Sequence, residues 1–206
     1  MIDVSSEGPL CTLTINRPDK ANSLNADMLE ALCVGVEEAR GARAIILTGV
    51  GKVFSAGADL EAAKAGLALS PLWERLSGAI ARHPGLTIAA LNGTAAGGAL
   101  GMVLACDLRI AVPGTKIFYP VMKLGFLPQP SDPARLSALV GPSHAKMILV
   151  AGQKIPTEDA LTWGLIDKVV EPDALIATAH ALTENVCAAT PEHARAIKGL
   201  ISQTLP

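Results

Sequence analysis

Aromatic and charged residues are scarce in this chain of 206 residues. Phe, Trp and Tyr together make up 3% of the sequence and Asp, Glu, Lys and Arg make up 17%, whereas 50% of the residues are hydrophobic. A composition this apolar excludes an intrinsically disordered protein. The net charge of −2 provides no general basic surface, so nucleic acid is not an expected partner.

Cysteine pairs, histidine clusters and long apolar runs are also missing. Cys11, Cys33, Cys106 and Cys187 lie far apart, which favours core thiols in a reducing compartment over disulfides or a metal site. The four histidines show no metal-like spacing. Gly, Asp or Pro interrupts the longest apolar runs, and no basic segment followed by an apolar one opens the chain. We therefore expect a cytoplasmic protein without a signal peptide, a membrane segment or a metal.

The remaining pattern alternates between strand and helix periodicity, which predicts one domain of α/β class. Strands are expected at residues 10–15, 44–48, 87–91, 108–112, 116–119 and 166–170. Helices are expected at residues 26–40, 72–82, 135–139, 143–151 and 157–163, and residues 61–69 are expected to be helical and then loose. A last helical region is expected to begin at Pro172, with an interruption near Pro191. Asn25 and Thr157 stand at N-cap positions. The proline-rich segment 120–133 is expected to be irregular.

Two strand-to-helix turns are built from small residues. The first follows the strand at 44–48 and lies in Val53–Leu60, and the second contains Gly97 and Gly98 and opens an apolar helix. Glycine lets a ligand approach the backbone closely, and the first turn of a helix has free N–H groups. Two such turns can place two N–H donors around one oxygen and stabilise a developing oxyanion. The alternative interpretation is close packing of a helix rich in small residues.

Four stretches resemble the crotonase (enoyl-CoA hydratase/isomerase) superfamily. They are Asn16–Leu24, Val53–Leu60, Leu91–Asp107 and Ala160–Val169, and the likeness runs in register from residue 8 to residue 172. The resemblance implies an α/β fold of repeated ββα units that form a spiral, with a core over residues 1–172. It also implies a C-terminal helical extension, shortened here to residues 173–206, which in the family covers the acyl site and builds trimers. A homo-oligomer, either a trimer or a dimer of trimers, is the implied assembly.

The same resemblance implies the substrate and its contacts. The backbone N–H groups of Ala58 and Gly98 would hold a thioester carbonyl as it becomes an enolate. Coenzyme A would be part of the substrate, so no separate cofactor is expected. The residues implied to bind the substrate are Lys20, Ala21, Ala56, Gly57, Asp59 and Leu60. Asp59 is also expected to cap the helix that follows it.

The chain departs from the family at its two catalytic acids. Hydratases of the family carry two glutamates that hold and activate water, and the matching positions here are Gly101 and Val121. Neither side chain can donate or accept a proton, so the two-glutamate hydratase mechanism is not expected and a one-glutamate isomerase mechanism is unsupported. Asp132 is the best candidate for a replacement acid, with a turn or a helix cap as its alternative role.

Three functional hypotheses follow. The first is a lyase or isomerase that stabilises the enolate of an acyl-CoA with a base other than the usual glutamates. The second is an inactive acyl-CoA-binding protein, and the third is a scaffold that uses the fold within an oligomer. Two intact oxyanion positions favour the first two hypotheses over the third.

Overall fold

The computed structural model describes residues 1–203, so the last three residues of the expected C-terminal extension lie outside the described residues. The strands are β1 (Ile2–Glu7), β2 (Leu10–Ile15), β3 (Ala44–Gly49), β4 (Val53–Ser55), β5 (Leu86–Leu91), β6 (Thr94–Ala96), β7 (Leu108–Ala111), β8 (Lys116–Phe118), β9 (Ile155–Pro156) and β10 (Lys168–Val169). The helices are α1 (Ala26–Glu38), α2 (Leu60–Lys64), α3 (Leu72–Ala81), α4 (Ala99–Ala105), α5 (Val121–Leu124), α6 (Asp132–Leu149), α7 (Thr157–Thr162), α8 (Leu175–Ala188) and α9 (Pro191–Gln203).

The strands form two separate sheets. The larger sheet has the order β1-β2-β3-β5-β7-β10, and the smaller one has the order β4-β6-β8-β9. Strands β3, β5 and β7 lie side by side in parallel, and the strands that follow them, β4, β6 and β8, do the same in the second sheet. Each successive ββα unit therefore adds one strand to each sheet. This confirms the predicted α/β spiral.

The larger sheet is covered on both faces. Alternate residues of β3 point in opposite directions, so Ile45 and Leu47 join the main core while Ala44 and Ile46 pack on the other side. The main core also holds side chains of α1, α3 and α4, whereas Leu175 of α8 belongs to the cluster on the opposite face. Burial on both sides explains the continuous apolar sequence of this central parallel strand.

Most of the predicted elements are confirmed, two expectations are wrong, and four strands were not expected. Segment 120–133 is not wholly irregular, because α5 forms within it and α6 begins at Asp132. Thr157 does not cap α7: it is the first helical residue, and its buried hydroxyl donates to the carbonyl oxygen of Thr115 at 2.9 Å. The short strands β4, β6 and β9 were not expected. Strand β1 was not expected either, because its polar and exposed residues lack an alternating pattern; it pairs antiparallel with β2 at the sheet edge.

The cysteines are free thiols, with Cys11, Cys33 and Cys106 buried and Cys187 partly buried. Loss of hydration on burial raises the pKa of the Cys33 thiol to about 11 and that of Cys106 to about 12. Within residues 1–203, no three His, Cys, Asp or Glu side chains are grouped so that they could hold a metal ion. Over the same residues, no helix has both the length and the hydropathy of a membrane-spanning segment.

Asn25 caps α1 as its sequence position predicts, since its Oδ1 accepts from the backbone N–H of Met28 at 2.9 Å. Asn25→Ala should lower the free energy of unfolding by about 1 kcal/mol, because a backbone donor of the first turn loses its partner. Asn25→Ser, which keeps a side-chain oxygen, should lose much less. Urea denaturation of the three proteins measures the difference, and equal stability of the Ala variant and the wild type would contradict the assignment.

Candidate active site

The two small-residue turns of the sequence lie in contact. Gly57 has φ +90°, and a Cβ atom built on it would lie 2.7 Å from the carbonyl oxygen of Ala96 and 3.2 Å from the backbone nitrogen of Gly98. An alanine at position 57 would therefore be both strained and too close to the opposite turn. This contact brings the segments that carry Ala58 and Gly98 to one place.

The backbone around Ala58 is fixed by a β-bridge to Leu24. The N–H of Leu24 donates to the carbonyl oxygen of Gly57, and the N–H of Asp59 donates to that of Leu24, each at 2.8 Å. These two hydrogen bonds are formed by Gly57 and Asp59, the neighbours of Ala58, and do not involve the N–H of Ala58. Among the described residues, the N–H groups of Ala58 and Gly98 meet no backbone or side-chain acceptor. Both remain available to a ligand.

A cavity of about 430 Å³ opens beside these two N–H groups. Its lining includes Ala56, Ala58, Gly97 and Gly98 from the turns, and Trp73, Tyr119, Val121, Leu124, Phe126 and Leu127 around them. A mostly apolar wall with a few polar groups suits a small organic ligand. A larger groove of about 650 Å³ lies between α8, α9 and the starts of β5 and β7, and its lining contains none of the predicted site residues.

Asn22 is a buried organising residue that sequence reasoning missed. Its Oδ1 accepts from the N–H of Arg17 at 2.8 Å, and its Nδ2 donates to the carbonyl oxygens of Val50 and Val53. Its own carbonyl oxygen accepts from the hydroxyl of Ser55 at 2.8 Å. Asn22 and Ala21 have φ of 53° and 50°, a conformation that Asn tolerates better than most residues. The sequence could have pointed to Asn22 through its place inside the Asn16–Leu24 stretch.

Ser55, whose hydroxyl bonds Asn22, also accepts from the N–H of Gly57 at 3.2 Å. It is fully buried, so its oxygen holds the first turn in shape rather than facing the ligand.

Asp59 caps α2, as expected. Its Oδ1 accepts from the N–H groups of Glu61 and Ala62, and its Oδ2 pairs with Arg17 at 2.9 Å. The hydrogen bond from Ala62, followed by that from Arg17, lowers the pKa of the Asp59 carboxyl. Asp59 therefore fixes the start of α2, whose first residue, Leu60, is 77% exposed at the mouth of the cavity.

Asp132 is fully buried next to the cavity. Its Oδ2 accepts from the hydroxyl of Tyr119 at 3.0 Å, while its Oδ1 lies 3.8 Å from Nη1 of Arg135 and has no hydrogen-bond partner among the described residues. Loss of hydration raises the pKa of this carboxyl to about 6, although Tyr119 and Arg135 lower it. Loss of hydration and the nearby Asp132 charge raise the pKa of Tyr119 as well. A buried carboxyl with a pKa close to neutral is typical of acid–base sites.

Comparison with known proteins identifies the family. Residues 5–205 match the model of the enoyl-CoA hydratase/isomerase family. The chain belongs to this family. It is similar to the short-chain-enoyl-CoA hydratase of Clostridium acetobutylicum, with 35% identity over 97% of this chain and 80% of that protein. The crotonyl-CoA hydratase of Syntrophomonas wolfei is 34% identical over 85% of this chain and 71% of its own length.

Two solved structures superimpose closely on this chain. DspI of Pseudomonas aeruginosa matches with a TM-score of 0.89 and 33% identity, covering 98% of this chain and 86% of that one. The enoyl-CoA hydratase of Bacillus anthracis also has a TM-score of 0.89, with 30% identity, covering 98% of this chain and 82% of that one. The spiral fold inferred from the strand order is therefore that of the family.

Family membership makes the position of Asp132 informative. A Cβ atom built on Gly101, the position of the first expected glutamate, would lie 3.1 Å from Oδ1 and 3.3 Å from Oδ2 of Asp132. The carboxylate of Asp132 thus lies against the place where that glutamate side chain would begin. Val121, at the second glutamate position, contributes to the cavity wall. Sequence spacing alone does not reveal that Gly101 and Asp132 are neighbours.

Proposed function

We propose that this protein binds an acyl-CoA thioester and stabilises its enolate in an oxyanion hole formed by the N–H groups of Ala58 and Gly98. The observation that carries the proposal is the pair of adjacent turns: the N–H groups of Ala58 and Gly98 have no acceptor among the described residues, and both residues line one mostly apolar cavity. Two fixed donors in a water-poor site lower the free energy of a developing oxyanion by several kcal/mol.

The coenzyme A portion is assigned to the surrounding loops. Lys20 is exposed at the end of a short 3-10 turn, where its ammonium group can meet a phosphate. Ala21 accepts from the N–H of Ala56 at 3.0 Å, which ties this turn to the loop of Gly57 and Leu60. Coenzyme A is then part of the substrate, and the proposal requires no separate cofactor.

The chemistry we propose differs from standard two-glutamate hydration. Gly101 and Val121 carry no acid, and Asp132 is the proposed source of the base. A second candidate is an inactive acyl-CoA-binding or scaffold protein with the same pocket, which the missing glutamates favour. A homo-oligomer, as a trimer or a dimer of trimers, is part of the proposal, because the resemblance implies a C-terminal extension that helps to cover the acyl site and to build trimers.

Calorimetric titration with acetoacetyl-CoA and with free CoA tests the binding proposal. Acetoacetyl-CoA, which forms an enolate readily, should bind about tenfold or more tightly than CoA, a difference of about 1.4 kcal/mol. Gly98→Val should remove this difference, because a Cβ atom built on Gly98 would lie only 3.1 Å from the ring of Trp73. The added methyl groups would displace the turn or the ring.

Gly41→Val is the matched control, since Gly41 is exposed and a Cβ atom there meets nothing within 4 Å. This variant should retain the preference for acetoacetyl-CoA. Equal affinities of the wild type for acetoacetyl-CoA and CoA would reject the oxyanion hole, and failure to bind either ligand would leave the scaffold function.

A further inference from the structure

Few residues of the cavity lining can exchange a proton with an acyl group. No Asp or Glu belongs to the cavity lining within the described residues, and the lining side chains that can titrate are Lys64 and Tyr119. Lys64 is exposed at the mouth, where its ammonium pairs with Glu61 at 2.9 Å. Tyr119 is 5% exposed and belongs to the inner wall. It is also the only tyrosine of the sequence.

The hydroxyl of Tyr119 is placed for proton transfer. It donates to Oδ2 of Asp132 at 3.0 Å and accepts from the N–H of Gln129 at 3.4 Å, which leaves one lone pair of the oxygen. Asp132 does not line the cavity and has no exposed surface. A group in the cavity therefore reaches the carboxylate of Asp132 through Tyr119.

On the basis of the proposed function, we infer that Tyr119 is the residue that contacts the acyl group and moves its proton, and that Asp132 acts behind it as the positioning residue and final proton acceptor. Gly101 is the feature that permits this arrangement, because any side chain there would enter the space next to the Asp132 carboxylate. The chain thus keeps an acid near the first glutamate position but presents it to the substrate through a phenol.

The proposed step balances without another reactant. The Cα–H bond of the acyl group breaks and its proton passes to Oη of Tyr119, while the hydroxyl proton of Tyr119 passes to Oδ2 of Asp132. The electron pair of the broken bond becomes the enolate, whose charge lies on the thioester oxygen between the N–H groups of Ala58 and Gly98. The reverse transfer returns a proton to carbon, so the α-position exchanges with solvent.

The charged and titratable groups around Asp132 set the pH range of this step. Tyr119 and Arg135 lower the pKa of Asp132 and Glu74 raises it, but loss of hydration is the largest effect and brings the pKa to about 6. Glu74 is itself held by the N–H and hydroxyl of Ser131. Because the ionised form accepts the proton, exchange should rise with pH and level off above this pKa.

Exchange of the α-protons of butyryl-CoA in D2O, followed by NMR with the full chain, tests the inference. The wild type should exchange with a pH profile that rises near pH 6, as the pKa of Asp132 predicts. Tyr119→Phe and Asp132→Asn should each lower the rate by about 100-fold or more. Both should bind butyryl-CoA within about threefold of the wild type, because neither change removes an oxyanion donor. Thr157→Val removes a buried hydroxyl remote from the cavity and should leave exchange unchanged.

Each outcome decides a different part of the hypothesis. Exchange at the wild-type rate in Tyr119→Phe, with loss only in Asp132→Asn, would make Asp132 the direct base and overturn the role of Tyr119. Absence of exchange in a wild type that binds butyryl-CoA would overturn the inference and leave the binding function intact. Absence of binding by the wild type would reject the proposed function itself. If Tyr119→Phe does not fold, by circular dichroism, exchange at the wild-type rate in Asp132→Asn would overturn the inference, because the proton would then have no acceptor behind Tyr119.

Discussion

Gly57→Ala is expected to weaken acetoacetyl-CoA binding by about 100-fold and to lower the free energy of unfolding by about 3 kcal/mol. The backbone at Gly57 has φ +90°, where an L side chain costs roughly 1–2 kcal/mol. The new Cβ atom would also lie 2.7 Å from the carbonyl oxygen of Ala96. Relief of this contact requires the two turns to move apart, which separates the N–H donors of Ala58 and Gly98.

Gly114→Ala separates backbone strain from this close contact. Gly114 has φ +77°, but a Cβ atom there meets nothing within 4 Å. This control should lose only the roughly 1–2 kcal/mol of strain and should bind acetoacetyl-CoA normally. Thermal denaturation and calorimetric titration of both variants provide the comparison. Normal binding by Gly57→Ala would show that the geometry of the two turns does not determine affinity.

Asp132→Asn is expected to change how stability depends on pH. The carboxyl of Asp132 has its pKa raised from 3.8 to about 6 in the folded protein, mainly by loss of hydration. The folded state therefore holds the proton more tightly than the unfolded state does. The resulting stabilisation is complete below the unfolded pKa and is lost as the pH rises through the folded pKa.

From pH 4 to pH 8 the wild type should lose on the order of 2 kcal/mol of unfolding free energy relative to Asp132→Asn. Other acids, such as Asp59 with its lowered pKa, have the opposite pH dependence, but they are common to both proteins and cancel in the difference. Urea denaturation of the two proteins across this pH range measures the effect. Parallel stability curves would mean that the pKa of Asp132 is not raised on folding.

A higher stability of Asp132→Asn than of the wild type would fit the proposed role of Asp132 in proton transfer. A carboxylate with one oxygen lacking a hydrogen-bond partner among the described residues destabilises a folded protein. Such groups are commonly retained where the chemistry needs them. The exchange experiment with butyryl-CoA therefore tests the role of Asp132 in proton transfer, and the stability experiment tests its raised pKa.

The sequence determined the features that depend on local pattern. Continuous apolar residues defined the buried strand β3, and the positions of Asn25 and Asp59 defined the caps of α1 and α2. The small residues of the two turns indicated where two backbone donors could meet, whereas the choice of Ala58 and Gly98 came from the family resemblance. These predictions depend on periodicity, capping and turn chemistry, which act over a few residues.

Contacts between distant segments were decided only by the tertiary structure. Asp132 lies against Gly101 because α6 begins beside α4, and Tyr119 reaches the same carboxylate from the end of β8. Asn22 joins several loops through hydrogen bonds that no local pattern specifies. Residues far apart in sequence become neighbours through sheet order and helix packing, and the burial that raises the pKa of Asp132 arises only once those elements have come together.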